Sequence, residues 1–438
     1  MLLEFKSANY KSFKDEFVFS LIPAPKQKGL DFSVMKTRAG KKLYRGLCSS
    51  VIYGPNASGK TNIIGAMDTF KSIVLRGSIR NDPDDNEPNA AAGILELIPN
   101  NTINSPKPIE FSITFIESGL HIEYGFSADV GSFLEVGKKR KILSEILKIN
   151  KDLIFSRNKK LEFPSVDTIH AYLVNAFEQN AVGAVALAQN NLNDEELFLM
   201  NGFKTMFSSK LVSLITDWLE NKFMVIYRAN SMRLVHKFND PKKNSIYFNK
   251  TLNKAANYFG INSNALGYMI DRDNDESKLY SIIENNNKKH VVPSELFESF
   301  GTIRFVNMFP FLVNALFNGG TLVVDEFDAS IHPMALMSII NIFHNDDINK
   351  NHAQLVFNTH NPIFLNANLF RRDEIKFVER NEESHHSAIY ALSDFGTVGK
   401  NGVRKNEDYM KNYFVNRYGA IMNIDFTPFF ESSINAVE

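Results

Sequence analysis

The residue types best suited to chemistry occur together in the stretch GPNASGKT, from Gly54 to Thr61. It follows the strand-like VIY and precedes the helix-like NIIGAM. Glycines let the backbone curl so that amide N–H groups point at phosphate oxygens, and the following helix presents its positive end to the same anion. The lysine supplies a charge for β- and γ-phosphates, and the threonine hydroxyl is a Mg²⁺ ligand. The predicted nucleotide-binding residues are Gly54, Pro55, Asn56, Ala57, Ser58, Gly59, Lys60, Thr61 and Asn62.

A second group of candidate residues ends the apolar strand of TLVVDEFDASIHP, residues 321–333. Asp325 at the end of the strand is expected to hold, together with Thr61, a Mg²⁺ ion that bridges the phosphates. Glu326 beside it is expected to orient the water that attacks the γ-phosphate. The sequence thus predicts ATP as ligand, Mg²⁺ as cofactor, and Lys60 and Glu326 as catalytic residues.

Two weaker signals follow from order and spacing. LVFNTHNP, residues 355–362, is an apolar strand that ends at His360, about 35 residues after the two acids, where a γ-phosphate sensor is expected in one class of ATPase. ESFGTIRF, residues 298–305, places a hydroxyl and a glycine, Ser299 and Gly301, at a helix start, which is the layout of an anion site.

Composition limits the class of protein. The 438 residues are 44% hydrophobic, so global disorder is excluded, and 49 basic residues balance 49 acidic ones, which argues against a protein that coats DNA. Cys48 is the only cysteine, so no internal disulfide can form. The longest apolar stretch, residues 305–317, is broken by Pro310 and is too short to span a bilayer. We expect a cytoplasmic protein without a membrane partner.

The pattern along the chain predicts three segments: an N-terminal half of an ATPase domain (1–164), a mainly helical insertion (165–295) and a C-terminal half (296–438). Strands are expected within 1–22, and IEFSITFIESGLHIEYGF, residues 109–126, is typical of a hairpin. Residues 81–90 are predicted to be an acidic surface loop. The basic residues at 138–141 and 288–289 are interpreted as solvated turns, with nucleic-acid contact as the alternative.

Taken in order, GPNASGKT, SFGT, VVDEFD and NTH resemble the Walker A, signature, Walker B and switch-histidine motifs of ABC-type ATPases. With FKSANYKSF, the hairpin, SEILKINKDLIFSR, FRRDEIKFVER and LSDFG…YFVNRYGAI, nearly the whole chain resembles AAA-family ATPases of the abortive-infection (anti-phage defence) group, which are related to the SMC and OLD types. The resemblance implies an α/β fold: a P-loop NTPase of ABC/SMC-like head type, with a mixed central sheet, flanking helices and an insertion.

The resemblance also implies how the site works. ABC-type ATPases act as head-to-head dimers, so Ser299 and Gly301 would face the γ-phosphate bound at the partner's phosphate loop. His360 would contact that phosphate from the side of the loop as a third catalytic residue, and Asn9, Lys11 and Phe13 would support the nucleotide. Glu298 and Phe300 depart from the usual signature, and no Q-loop glutamine is identified. No Toprim nuclease module follows the switch histidine, so we expect that the chain does not cut nucleic acid by itself.

The function expected on these grounds is an ATP-binding and ATP-hydrolysing sensor or switch subunit of a bacterial anti-phage system. It would form a homodimer or higher homo-oligomer around ATP and control a separate effector protein, with nucleic acid as a further candidate partner. The alternative is a RecF/SMC-like DNA-repair ATPase that acts on DNA. The absence of a heptad repeat counts against a coiled-coil arm of the SMC form.

Overall fold

The computed structural model describes most of the chain, and the predicted acidic loop at 81–90 lies outside the described residues. The described residues are 1–25, 27, 29–80, 95–100, 107–132, 138–174, 181–227, 247–248, 250–258, 265–270, 277–286, 288–397, 402–405, 407–422 and 425–435.

The strands form two large sheets and two small ones. In chain order they are β1 (Leu2–Ala8), β2 (Phe17–Ser20), β3 (Val34–Ala39), β4 (Lys42–Leu47), β5 (Ser49–Tyr53), β6 (Ile109–Glu117), β7 (Leu120–Asp129), β8 (Lys141–Ile149), β9 (Asp152–Arg157), β10 (Leu161–Glu162), β11 (Phe223–Ile226), β12 (Tyr247–Phe248), β13 (Ala265–Ile270), β14 (Ser277–Asn285), β15 (Lys288–Pro293), β16 (Thr321–Val324), β17 (Gln354–Asn358), β18 (Ile375–Arg380) and β19 (Ser387–Ala391).

The helices lie between and around these sheets. They are α1 (Lys60–Arg76), α2 (Ala181–Asn190), α3 (Lys204–Met206), α4 (Ser209–Asp217), α5 (Lys250–Tyr258), α6 (Ser294–Phe297), α7 (Phe300–Asn318), α8 (Pro333–Phe343), α9 (Tyr409–Phe414) and α10 (Thr427–Asn435). Short 3₁₀ and π-helical segments cover Asp31–Ser33, Asp167–Tyr172, Leu199–Phe203, Trp218–Lys222, Pro362–Phe364 and Leu392–Phe395.

The central sheet has the order β11-β16-β17-β5-β18-β19. All neighbours run parallel except β18 and β19, which are antiparallel. The strands β5, β16 and β17 are buried along their whole length, as is usual where helices cover both faces of a parallel sheet. The predicted fold class, α/β with a mixed central sheet and flanking helices, is confirmed.

The second large sheet is antiparallel, with the order β10-β9-β8-β7-β6-β1-β2. The predicted hairpin is present as β6 and β7, joined at Ser118 and Gly119, which both adopt positive φ. The strands expected within residues 1–22 are β1 and β2, which pair with each other. Most residues of β1 and β6 alternate between buried and more exposed positions, as in a sheet that buries one face against the rest of the molecule.

Helix α1 fills the space between the two large sheets. Its apolar residues recur at helical spacing, and all except the partly buried Leu75 are buried. On one side Phe70 contacts the antiparallel sheet, with ring centroids 5.8 Å from Phe5 and 5.8 Å from Phe126. On the other side the helix shares one apolar cluster with Ile52 and Val356 of the central sheet. This packing fixes the start of α1, where the phosphate loop ends.

The region 165–295 differs from its description as a mainly helical insertion. Most of the described residues between 167 and 222 lie in helical segments. In contrast, β11 is a strand of the central sheet, and the described residues between 247 and 293 contain a four-stranded antiparallel sheet, β12-β13-β14-β15, with one helix. Trp218 also stacks on Phe115 of the antiparallel sheet, with ring centroids 3.9 Å apart. The first part of the region therefore belongs to the main core, and position 165 is not a boundary of the packing.

Helix α7 is 19 residues long and apolar enough, by length and composition alone, to cross a membrane. In the structure Phe305, Val306 and Leu312 on one of its faces are buried in the apolar cluster that covers the central sheet. We therefore assign α7 to the protein core.

The position of Phe70 leads to a stability prediction. We expect Phe70→Ala to lower the free energy of unfolding by about 3–5 kcal/mol, because it removes a buried ring from between two sheets. Phe317→Ala is the matched control, since that ring is 75% exposed and its loss should change stability by less than about 0.5 kcal/mol. Urea denaturation measures both, and equal losses would contradict the assignment of α1 to the core.

Candidate functional site

The predicted phosphate loop connects β5 to α1 at the carboxyl edge of the central sheet. Gly54 and Gly59 are required there by space, since a side chain at Gly54 would collide with the carbonyl oxygen of Val378. A side chain at Gly59, where φ is 110°, would approach the hydroxyl groups of Ser12 and Ser387 within 2.7 Å. The loop can thus take its curled form only with glycine at both positions.

Lys60 is buried in this loop, with 5% of its surface exposed. Its Nζ donates hydrogen bonds to the carbonyl oxygens of Gly54 (2.7 Å) and Pro55 (2.9 Å). Burial lowers the pKa of Lys60 to about 8, against the opposing effect of Asp325 and Glu326. The ammonium group is thus held inside the loop, where a phosphate oxygen would give it a stronger partner than two carbonyls.

The loop also contains a buried hydroxyl group that a bound anion would fit. Ser58 Oγ is buried in the loop and has no hydrogen-bond partner within the described part of the chain. A buried hydroxyl without a partner is costly unless a ligand or water completes it. With the two glycines and Lys60, it makes a polar cradle of the kind that a triphosphate requires.

Thr61 and Asp325 are brought together, as the sequence predicted. Thr61 Oγ1 donates to Asp325 Oδ1 at 3.0 Å, and Asn358 Nδ2 donates to the same oxygen at 2.6 Å. A hydroxyl and a carboxylate beside a phosphate cradle fit the oxygen ligands that Mg²⁺ prefers. Asn358 is a site residue that the sequence reasoning missed, although it ends the apolar strand two residues before the predicted histidine.

Glu326 follows Asp325 in a conformation that is rare for a residue with a side chain, with φ of 51°. Its backbone N–H donates to Asn358 Oδ1, and its carbonyl oxygen accepts from Arg304 Nη2. Residues in this region of φ and ψ persist only where surrounding contacts hold them, and they cluster at functional sites. The Glu326 side chain is half-buried, and its charge acts to raise the pKa of both Lys60 and His360.

His360 lies in the loop after β17 and is exposed. Its pKa is lowered first by partial burial and then by the charge of Lys60, while Asp328, Glu326 and Asp325 act in the opposite direction. Lys60 and these acids are thus close enough to act on the His360 imidazole, and its role as a sensor of the terminal phosphate stays a prediction.

Ser299 and Gly301 lie at the start of α7. Ser299 is the N-cap, and its Oγ accepts from the backbone N–H of Thr302 at 3.1 Å. Neither residue forms a hydrogen bond to the phosphate loop within the described residues. Phe300 beside them is 57% exposed. Thr61 and Asp325 thus lie together within one chain, whereas Ser299 of the signature segment is exposed and apart from this hydrogen-bonded pair.

A cluster of serines joins the N-terminal segment to the phosphate loop. Asn62 Nδ2 donates to Ser12 Oγ at 2.8 Å, and Ser387 Oγ donates to the carbonyl oxygen of Ser58 at 2.6 Å. Ser12 and Ser387 also contact each other, with their Oγ atoms 2.7 Å apart. Both serines were missed because hydrogen bonds between distant segments leave no local pattern.

Strand β11 lies at the edge of the central sheet, next to β16, and Tyr227 directly follows it. Tyr227 OH donates to Glu96 Oε2 at 2.7 Å, and Lys11 Nζ binds both groups. Lys11, expected to support the nucleotide, is therefore held in an ion pair with Glu96.

Two charged clusters from the sequence have structural partners. Arg371 and Arg372 are buried: Arg371 pairs with Asp373, and Arg372 donates to Gln27 and to backbone carbonyls. In the basic segment 138–141, Arg140 is buried and donates to the carbonyl oxygen of Ile79. The three lysines of that segment each pair with an acid, which are Asp129, Glu195 and Asp194.

A known protein family matches most of this chain. A family described as "AAA domain, putative AbiEii toxin, Type IV TA system" matches residues 49–366. No curated protein matches the chain. The chain is similar to the "SMC head domain from Thermotoga maritima", with 12% identity, 89% of this chain and 98% of that chain covered, and a TM-score of 0.34.

A second solved structure, "Crystal structure of the SmcHead bound to the C-winged helix domain of ScpA", shares 13% identity, with 89% of this chain and 97% of that chain covered and a TM-score of 0.39. Similarity at these TM-scores carries no argument about function. The family match and the strand order of the central sheet together confirm the predicted P-loop ATPase fold.

The buried lysine leads to a prediction about pH. We expect the Kd of a fluorescent ATP analogue to be constant below pH 8 and to rise by up to about tenfold per pH unit above it. The reason is that free Lys60 loses its proton near pH 8, while the bound phosphates favour the charged form. Equilibrium fluorescence titrations measure this, with Lys60→Ala as the control, whose weak binding should show no such rise.

Proposed function

The chain belongs to the family described as "AAA domain, putative AbiEii toxin, Type IV TA system", and on that basis we propose that it is an ATP-binding and ATP-hydrolysing switch subunit of a bacterial anti-phage system. One observation carries the ATPase part: Asp325 Oδ1 accepts from both Thr61 and Asn358 beside the cradle that holds Lys60. The defence part is supported by the resemblance to ATPases of the abortive-infection group and by the words "putative AbiEii toxin, Type IV TA system" in the family description.

The site residues divide the work of phosphoryl transfer. Lys60 binds the β- and γ-phosphates, and Glu326 orients the attacking water and accepts its proton. Thr61 and Asp325 would hold Mg²⁺, which would supply positive charge against the negative charge of the phosphates. His360 would donate a hydrogen bond to the γ-phosphate from the side of the loop. All of these groups come from the edge where β5, β16 and β17 end, so little rearrangement is needed for them to act together.

The exposed signature segment supports a dimer around ATP. Ser299 is exposed at the start of α7, and within the described residues neither it nor Gly301 forms a hydrogen bond to the phosphate loop of the same chain. A helix start of this kind binds anions, and the γ-phosphate held by a second copy would supply one. ATP binding would then close two copies on each other, and hydrolysis would release them, so that a separate effector protein responds to the state of the dimer.

Glu326→Gln tests the dimer. The change keeps the shape of the side chain but removes the proton acceptor, so ATP should bind without being hydrolysed. In ATP and Mg²⁺ we expect this variant to elute at twice the mass of the single chain in size-exclusion chromatography with light scattering. The matched control is Glu326→Gln combined with Lys60→Ala, which should remain monomeric. A Glu326→Gln monomer at saturating ATP would contradict the dimer.

The defence role has its own test in cells. We expect that cells carrying the complete native locus lose protection against phage when Lys60→Ala or Glu326→Gln replaces the wild type, at equal protein levels. Plaque counts measure protection. Full protection by either variant would contradict an ATP-driven switch in defence.

The DNA-repair alternative predicts a different response of the purified protein. ATP hydrolysis would then rise with duplex or single-stranded DNA and fall steeply with salt, since contacts to phosphates release counterions. The acidic partners of Lys138, Lys139 and Lys141 reduce the charge available at that basic segment. We therefore expect no stimulation by DNA, and a strong, salt-sensitive stimulation would favour the alternative.

A further inference from the structure

The start of α7 lies directly against the turn that carries the two acids. Gly301 packs so closely on this turn that a side chain there would collide with the carbonyl oxygen of Ser330. One helical turn after Ser299, Arg304 reaches the same turn from inside the protein. The segment that would face the partner's nucleotide is thus in contact with the segment that would hydrolyse the chain's own nucleotide.

Arg304 makes the more specific of these contacts. It is 4% exposed, and its Nη2 donates to the carbonyl oxygens of Asp325, at 3.3 Å, and Glu326. The charges that act on its guanidinium group are the carboxylates of Glu326, Asp328 and Asp325. Two hydrogen bonds of Arg304 thus go to backbone oxygens of the turn itself.

These contacts matter because of the conformation of Glu326. Its φ of 51° is disfavoured for a residue with a side chain, so the turn needs support from outside. Asn358 binds the backbone N–H of Glu326, and Arg304 binds its carbonyl oxygen. The direction in which the Glu326 carboxylate points therefore depends on both supports. Asn358 comes from the central sheet, but Arg304 comes from α7, the signature helix, whose N-cap is Ser299.

We propose that Arg304 is a positioning residue that holds Glu326 of its own chain in this conformation and thereby links the signature helix to ATP hydrolysis. This inference rests on the proposed function. A shift at the start of α7, caused by the partner's nucleotide at Ser299, would pass along one helical turn to Arg304 and from there to Glu326. Hydrolysis at one site of the dimer would then depend on occupation of the other.

The first test separates positioning from folding. We expect Arg304→Met to lower kcat about ten- to hundredfold while KM for ATP changes less than about twofold, because Glu326 is misplaced but the phosphate loop is intact. Arg304→Lys should recover part of kcat, since an ammonium group can still donate to these carbonyls.

Arg157→Met is the matched control. Arg157 is 3% exposed and also donates to two backbone carbonyls, those of Glu196 (2.7 Å) and Asn193 (2.6 Å), but on a different sheet from the site. It should lower Tm without changing kcat. If the loss of kcat follows the loss of Tm equally in the Arg157 and Arg304 variants, or if Arg304→Lys recovers nothing, the positioning role is overturned.

The second test asks whether Arg304 acts within its own chain. Two chains with different tags are co-expressed, and the mixed dimer is purified through both tags. In one pair, Arg304→Met is combined with a Glu326→Gln partner, so both sites bind ATP but the intact Glu326 belongs to the chain without Arg304. In the other pair, a wild-type chain is combined with a partner that carries both changes, so the intact Glu326 and Arg304 share a chain.

We expect hydrolysis to be lost in the first pair and kept in the second. The reverse result, or equal rates in both pairs, would overturn the inference while leaving the proposed function intact. A wild-type protein that does not hydrolyse ATP would instead overturn the proposed function, so the two failures are distinguishable.

Discussion

The carboxylate of Asp325 is the group on which the candidate site depends. It joins the strand that it ends, β16, to the start of α1 through Thr61 and to the end of β17 through Asn358. Parallel strands present their carboxyl ends at the same edge of a sheet, so one buried acceptor can connect three segments that are far apart in the sequence. A buried carboxylate that lost these donors would be costly, and the order of the strands is thereby tied to the chemistry of the site.

Packing in the core also holds the candidate site in place. Helix α1 is held on both sides by apolar packing, so its first residue, Lys60, has little freedom to move. The phosphate loop in turn is confined by Val378 at one end and by Ser12 and Ser387 at the other. The binding site is therefore formed before any ligand arrives, which lowers the ordering cost of binding.

Much of the fold followed from local patterns in the sequence. The buried strands β5, β16 and β17, the hairpin of β6 and β7, and the loop from Gly54 to Thr61 have short-range signals, and all are present. What the sequence did not reveal are contacts between distant segments: Arg304 reads as one basic residue in an apolar helix, and Asn358 as an ordinary strand end. Arg371 and Arg372 each have partners in the folded chain that no spacing rule indicates.

The place of β11 also escaped prediction, because a four-residue strand between Asn- and Lys-rich segments has no pattern of its own. Its position at the edge of the central sheet limits how this protein can be rebuilt by exchange of segments. A chimera that replaced residues 165–295 as one cassette would uncover the edge of β16 and take Trp218 away from Phe115. Exchange limited to the residues after Tyr227 would leave the sheet complete.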